Sequence, residues 1–153
     1  MPNTPCVKSR TDQSIKGHVG VDETLVETNK QLVLAAFDVL FNQRDYEAAE
    51  PFWSADYIQH SAHIAPGRDG LFSLIRSAPA NLRYEPGMIL GNEAFVMVHG
   101  RLSGIGSPRS WIMVDIVRIE AGVLTEHWAV LQDEVTREES RSGRPMFGNE
   151  FAR

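Results

Sequence analysis

The sequence predicts an α+β fold, with helices in the first half of the chain and an antiparallel sheet in the second. Two observations carry that prediction. From Thr24 onward, through the run ETNKQLVLAAFDVLFNQ at 27–43, Leu32, Val33, Ala36, Phe37, Leu40 and Phe41 fall at helical spacing, which marks a long amphipathic helix with Thr24 or Thr28 as its N-cap. From Arg83 the period changes. RYEPGMILG, NEAFVMVHGRLSG, SWIMVDIVRI and VLTEHWAVLQ read as strands, each bounded by Gly, Pro, Asn or Ser. Four strands joined by short turns pair antiparallel.

Shorter elements lie between these two blocks. RDYEAAEPFW reads as a second helix that ends or kinks at Pro51, because proline lacks the N–H an interior helical position needs. SADYIQH reads as a short extended piece, SAHIAPGR as a loop, and Asp69 to Ser77 as a third helix stopped by Pro79. Residues 1–22 are polar and punctuated by Gly and Pro, so they read as a loose arm; 23–136 read as one domain. Residues 137–153 form a charged, Gly-containing tail in which Met146 and Phe147 are the apolar pair available for docking.

Composition limits the function classes. With 153 residues and 42 % hydrophobic content the chain is long enough to bury a core. A net charge of −5, with acidic and basic residues interspersed, argues against nucleic acid or an anionic membrane surface as partner. The single cysteine, Cys6, excludes an internal disulfide framework. No apolar run approaches the ~18 residues of a membrane span, and the first residues lack the hydrophobic core of a signal peptide, so a cytoplasmic location is expected.

The segment from Trp111 to Gln132 reads as a β-hairpin with a carboxylate and an imidazole inside apolar strands. In the first arm Met113, Asp115, Val117 and Ile119 share one face, so Asp115 is set among aliphatic side chains. Which residue meets it depends on the turn. A two-residue loop, Ala121-Gly122, needs Ala at positive φ, at a cost of about 1 kcal/mol, and puts Trp128 opposite Asp115. A three-residue loop with Gly122 in the left-handed position of a bulge pairs Ile119 with Val123 and brings His127 opposite Asp115. The expected register is the second, with Trp128 facing outward.

This order of elements, and the strings YIQH at 57–60, PGRDG at 66–70, VDIVRIEAG at 114–122 and TEHWAVLQ at 125–132, resemble the SnoaL-like polyketide cyclases of the nuclear transport factor 2-like superfamily. The resemblance covers roughly Thr24 to Gln132. It implies a curved antiparallel sheet wrapped with about three helices into a cone that opens on an apolar pocket. It also implies an acid/base role for Asp115, and places His60 where ketosteroid isomerases keep a proton-shuttling Asp. The chain departs from the isomerase pattern in having His at that position, and Phe37 where those enzymes use an oxyanion-binding Tyr.

Removing a proton next to a carbonyl needs a base near neutral pKa and a donor that meets the oxygen as negative charge builds. Asp115 and His127 as a dyad, with His60 as a second proton carrier at the pocket mouth, supply such groups. Desolvation raises the pKa of a buried Asp and a protonated neighbouring His lowers it, so the sequence leaves the protonation state of the pair open. Tyr57, Trp111, Trp53 and Phe37 are candidate substrate-binding aromatics, and His99 points either into the cone or outward. His60 and His63 sit three apart in a loop rather than on a helix, so they are not read as a metal site, and nothing in the sequence calls for a cofactor. The expected substrate is small, hydrophobic or aromatic, and carbonyl-containing. Four readings compete with the cyclase- or isomerase-type enzyme: a non-catalytic binder of small hydrophobic molecules, a dehydratase or epoxide hydrolase, a protein-interaction module with an exposed apolar patch and no polar pocket, and an Asp–His pair that merely satisfies itself in the core. A homodimer through the outer sheet face is the expected assembly.

Overall fold

The computed structural model describes residues 20–152. Apart from residues 20–22, the expected N-terminal arm lies outside them. The first helix, α1 (Glu23–Phe37), is capped by Asp22, whose carboxylate accepts the N–H groups of Thr24 and Leu25 at 3.0 Å each. Neither threonine caps it, contrary to expectation. An aspartate at this position satisfies two free amides and places its charge at the positive end of the helix dipole, while the Thr28 hydroxyl turns back to the Thr24 carbonyl.

After Phe37 the helix widens into a π-helical turn, Asp38–Gln43, that ends at Arg44 in the left-handed conformation, φ 57°. The Arg44 guanidinium donates to the carbonyls of Ile75, Ala78 and Pro79 at 2.5, 2.8 and 3.1 Å, which ties the end of the later helix α3 (Gly67–Ser77) to this turn. The second helix is shorter than expected. It comprises α2 (Tyr46–Ala49) and a 3₁₀ turn, Glu50–Phe52, in which Pro51 needs no N–H partner.

Five strands follow: β1 (Trp53–Gln59), β2 (Arg83–Gly91), β3 (Phe95–Ser103), β4 (Trp111–Glu120) and β5 (Val123–Asp133), in the sheet order β1-β5-β4-β3-β2. The last four form the expected antiparallel meander. The piece SADYIQH is the fifth strand, lying parallel to β5 with Gln59 beside His127. The sheet is mixed, curved and open, and α1 and α3 cover its inner face. Val33, Leu40, Phe72, Val96, Val117 and Leu124 are among the residues buried between them.

The hairpin at residues 111–133 differs from the expected one in two compensating ways. Its loop is the two-residue one: Ala121 (φ 49°) and Gly122 (φ 76°) both take positive φ, and Glu120 pairs with Val123. The twist of that turn matches the twist of two long strands, and their ladder holds Ala121 in place. A bulge then follows, because Ile119 pairs with Leu124 but Arg118 pairs with Glu126. Thr125 is the extra residue, its hydroxyl 3.4 Å from the Arg118 carbonyl. Asp115 consequently lies opposite Ala129, and His127 opposite Val117, two positions along the same face.

Residues 134–152 form no helix or strand and fold back over the outer face of the sheet. Phe147 packs against the His99 ring, 5.7 Å between centroids, and beneath the Arg101 guanidinium. Gly87 makes room for it, since a Cβ there would come within 2.8 Å of the Phe147 ring. Elsewhere on that face Met88, Leu90, Met97 and Val130 stay exposed. No helix among the described residues is long and apolar enough to cross a membrane.

Candidate functional site

Asp115 is 2 % exposed and His127 is 7 % exposed, both on the inner face. The His127 Nε2 lies 2.9 Å from Asp115 Oδ1, so the pair expected from the sequence does form, though diagonally across the ladder rather than directly opposite. The other carboxylate oxygen is taken by a residue the sequence reading did not select. The Tyr84 hydroxyl donates to Asp115 Oδ2 at 2.8 Å. Tyr84 sits on β2, two strands away from Asp115, and reaches over β3 where Gly100 leaves a gap: a Cβ on Gly100 would meet the Tyr84 hydroxyl at 2.5 Å and Cζ at 2.7 Å.

The backbone of Tyr84 is held equally closely. Asn42, in the π-helical turn, donates to the Tyr84 carbonyl at 3.0 Å and accepts its N–H at 2.9 Å. Phe37 meets the Tyr84 ring edge-on and Phe41 stacks against it. The widened turn thus aims Asn42 and Phe41 at one tyrosine, in keeping with the tendency of π-turns to occur near functional groups.

On the far side of His127, Nδ1 lies 3.0 Å from Gln59 Oε1. That oxygen also accepts the backbone N–H of Ser61 at 2.9 Å, which fixes the amide orientation, because an N–H cannot accept from an amide NH₂. Nδ1 of His127 must therefore carry a proton. One mobile proton is left between Nε2 and Asp115 Oδ1: the pair is either imidazolium and carboxylate, or imidazole and carboxylic acid.

Burial, followed by the neighbouring Asp115 charge and hydrogen bond, pushes the Tyr84 phenol well above the ordinary tyrosine range. Burial also raises the Tyr57 phenol. The sign follows directly: both groups stay protonated in the folded state above pH ~10, where an unfolded tyrosine ionises, so the unfolded chain binds fewer protons and stability falls as pH rises. Each phenol is expected to contribute a loss of about 1.4 kcal/mol per pH unit above pH ~10. Denaturant titrations at successive alkaline pH values measure this slope, which Tyr84→Phe should reduce.

Asp115, His127 and Trp111 line an inner cavity of about 60 Å³ together with Phe41, Ser61 and Met113. It adjoins a second, outer cavity of about 260 Å³ between the end of α3 and the β3–β4 loop; His63, Leu74, Ile75, Leu102 and Trp111 line both. Among the described residues no Lys, Arg or Glu lines either cavity.

Several expected site residues are placed elsewhere. His60 lies on the outer face, stacked on Trp128 and hydrogen-bonded to Glu126 Oε1 at 2.8 Å, because it follows Gln59 by one residue and so points the opposite way. It is not at the pocket mouth; His63 is. His99 likewise faces outward, against Phe147. Trp53 packs on Phe72 in the core, Tyr57 is buried, Phe37 supports Tyr84, and none of the three lines the inner cavity. His60 and His63 do not converge, and no metal-holding cluster of three His, Cys, Asp or Glu occurs among the described residues.

No protein-family model matches the sequence, and no curated protein matches it. Solved structures do match. A ketosteroid isomerase-like protein from Kribbella flavida superposes with a TM-score of 0.67 at 16 % identity, over 83 % of this chain and 97 % of that one. A polyketide cyclase-like protein from Bacillus cereus gives a TM-score of 0.59 at 15 % identity, over 69 % and 74 %. An LEH-like epoxide hydrolase from M. tuberculosis gives 0.57 at 15 % identity, over 70 % and 84 %. The activities these three proteins are named for differ, so the likeness speaks to architecture. The chain has the nuclear transport factor 2-like α+β cone fold.

Proposed function

We propose that the protein catalyses proton transfer at a carbon next to the carbonyl of a small apolar substrate, the step shared by aldol-type cyclisation and isomerisation. The observation that carries this reading is the single mobile proton between His127 Nε2 and Asp115 Oδ1, held at the wall of an otherwise apolar cavity. In the imidazolium–carboxylate state Asp115 accepts the α-proton; the electrons of the broken C–H bond form the enolate, and its oxygen becomes negative. His127 and Tyr84 hold the carboxylate in place and stabilise its charge between turnovers. Returning the proton to another atom, or attack of the enolate on a second carbonyl, completes isomerisation or ring closure. The scheme uses side-chain groups alone.

Deuterium exchange tests it. In D₂O, the protein is expected to exchange the α-hydrogens of an apolar aryl ketone such as 2-propionylnaphthalene faster than buffer does, and to favour one of the two methylene hydrogens, as ¹H NMR resolves. Exchange no faster than buffer across a series of such ketones would sink the reading.

A second reading, a non-catalytic binder of small hydrophobic molecules, is favoured by the completeness of the network. Both oxygens of Asp115 and both nitrogens of His127 already have protein partners. Epoxide opening and dehydration gain no comparable support, since among the described residues Asp115 is the only carboxylate on the inner cavity wall and no arginine accompanies it.

A further inference from the structure

Ser61 is 8 % exposed, and its hydroxyl has no hydrogen-bond partner among the described residues. The Ser61 N–H is committed to Gln59 Oε1, its carbonyl accepts the N–H of Ile64 at 3.0 Å, and the residue lines the inner cavity beside Asp115 and His127. The nearby Gln59 Nε2 is likewise buried without a partner among the described residues. A buried hydroxyl left unpaired costs about 1–3 kcal/mol, so a group that persists in this state at a cavity wall points to something that binds there.

We infer that Ser61 is a ligand-binding donor, and that its hydroxyl takes the carbonyl oxygen of an uncharged, flat, apolar ligand whose reactive end enters the inner cavity. This assignment rests on the carbonyl chemistry proposed above and adds the residue that meets the oxygen. Size sets the shape of the ligand. An inner cavity of about 60 Å³ has room for a group of only a few heavy atoms, enough for a carbonyl and its neighbouring carbon. The body of the ligand then occupies the outer cavity of about 260 Å³, among Ala78, Pro79, Leu82 and Ile105. Together the two reach the lower end of the range of small-molecule sites, about 300–1,000 Å³.

His63 and Trp111, edge-to-face at 5.9 Å, line both compartments and form the collar between head and body. The walls also settle the charge of the ligand. Among the described residues Asp115 is the one acidic group on either wall, no Lys or Arg lines them, and the His127 Nε2 is already engaged by Asp115, so a phosphate or carboxylate meets no fixed cation inside. A neutral ketone leaves Asp115 free to take the proton while Ser61 meets the oxygen.

The test uses the whole protein with two probes of similar shape, 2-acetylnaphthalene labelled with ¹³C at the carbonyl and 2-isopropylnaphthalene, which lacks the oxygen. Trp fluorescence reports affinity and infrared spectroscopy reports the carbonyl stretch. In the wild type the bound ketone is expected to absorb at lower wavenumber than in hexane. Ser61→Ala should return the band toward the hexane value and weaken the ketone about five- to tenfold, the loss of one hydrogen bond, while leaving 2-isopropylnaphthalene unchanged.

Equal weakening of both probes, an unmoved band in Ser61→Ala, or no binding of either probe by the wild type would each overturn the assignment. Deuterium exchange into the methyl group of the ketone is measured on the same samples. Exchange that persists with a Ser61-independent band defeats the Ser61 site alone, whereas a Ser61-dependent band without exchange upholds the site and defeats the acid/base reading.

Discussion

Asp115→Asn is expected to lower ketone deuterium exchange about 10²–10⁴-fold while changing stability by less than about 1 kcal/mol. The substitution separates chemistry from structure because the surrounding hydrogen bonds survive it. His127 keeps its Nδ1 proton, directed at Gln59 Oε1, so its Nε2 lone pair accepts from the new amide NH₂. The amide oxygen still accepts from Tyr84. What disappears is the mobile proton. Asp115→Ala is the contrasting case: it strands the Tyr84 hydroxyl and the His127 ring in a buried site, and is expected to cost about 3–5 kcal/mol in denaturant unfolding. Full exchange activity in Asp115→Asn would mean that the pair is there to satisfy itself.

Gly100→Ala carries the second large effect, although the substitution adds a single methyl group on a strand. The new Cβ would stand 2.5 Å from the Tyr84 hydroxyl and 3.0 Å from Cε2, so the stiff ring must leave its slot and its bond to Asp115. Overpacking and the lost hydrogen bond together are expected to cost about 2–4 kcal/mol, with a matching fall in exchange activity. A double-mutant cycle identifies the cause. In a Tyr84→Leu background the same Gly100→Ala change should cost under about 1 kcal/mol, since the clash is with the ring. A cost independent of residue 84 would place the effect in the strand itself.

The helices and the meander were legible because each depends on local periodicity, and Asp115 stood out as a carboxylate among aliphatic neighbours on one strand face. Residues whose roles depend on contacts distant in sequence gave no such signal. Tyr84 opens β2 as an ordinary strand tyrosine; only the packing of β3, with Gly100 beneath the ring, carries it to Asp115. Gln59 and Ser61 matter because β1 lies parallel to β5, a pairing with no turn to announce it. His60 shows the opposite failure. Its string resembled a catalytic position, yet one step along a strand reverses the face, and the step from Gln59 sends it to Trp128. Gly100, inside β3, was the one available clue to Tyr84, since an interior strand glycine often marks a close approach of another group.

The bulge at Thr125 gives the hairpin a counting property. Every side chain of β5 beyond Leu124 owes its face to the sum of loop residues and unpaired residues that precede it, and the turn contributes two to that sum and Thr125 one. A three-residue loop with no bulge would reach the same parity, which is why a wrong turn still led to the right pair of residues. Length variation in this hairpin is therefore governed by whether the residue gained or lost is paired. Loss of Thr125 leaves Glu126 next to Leu124 with the downstream pairs intact, whereas one residue added within the paired part of β5 would turn His127 out toward solvent and bring its neighbour to face Asp115. Relatives of this chain can differ in turn type and still keep the imidazole inside, provided that residues are gained or lost in the loop or at the bulge and not within the paired ladder.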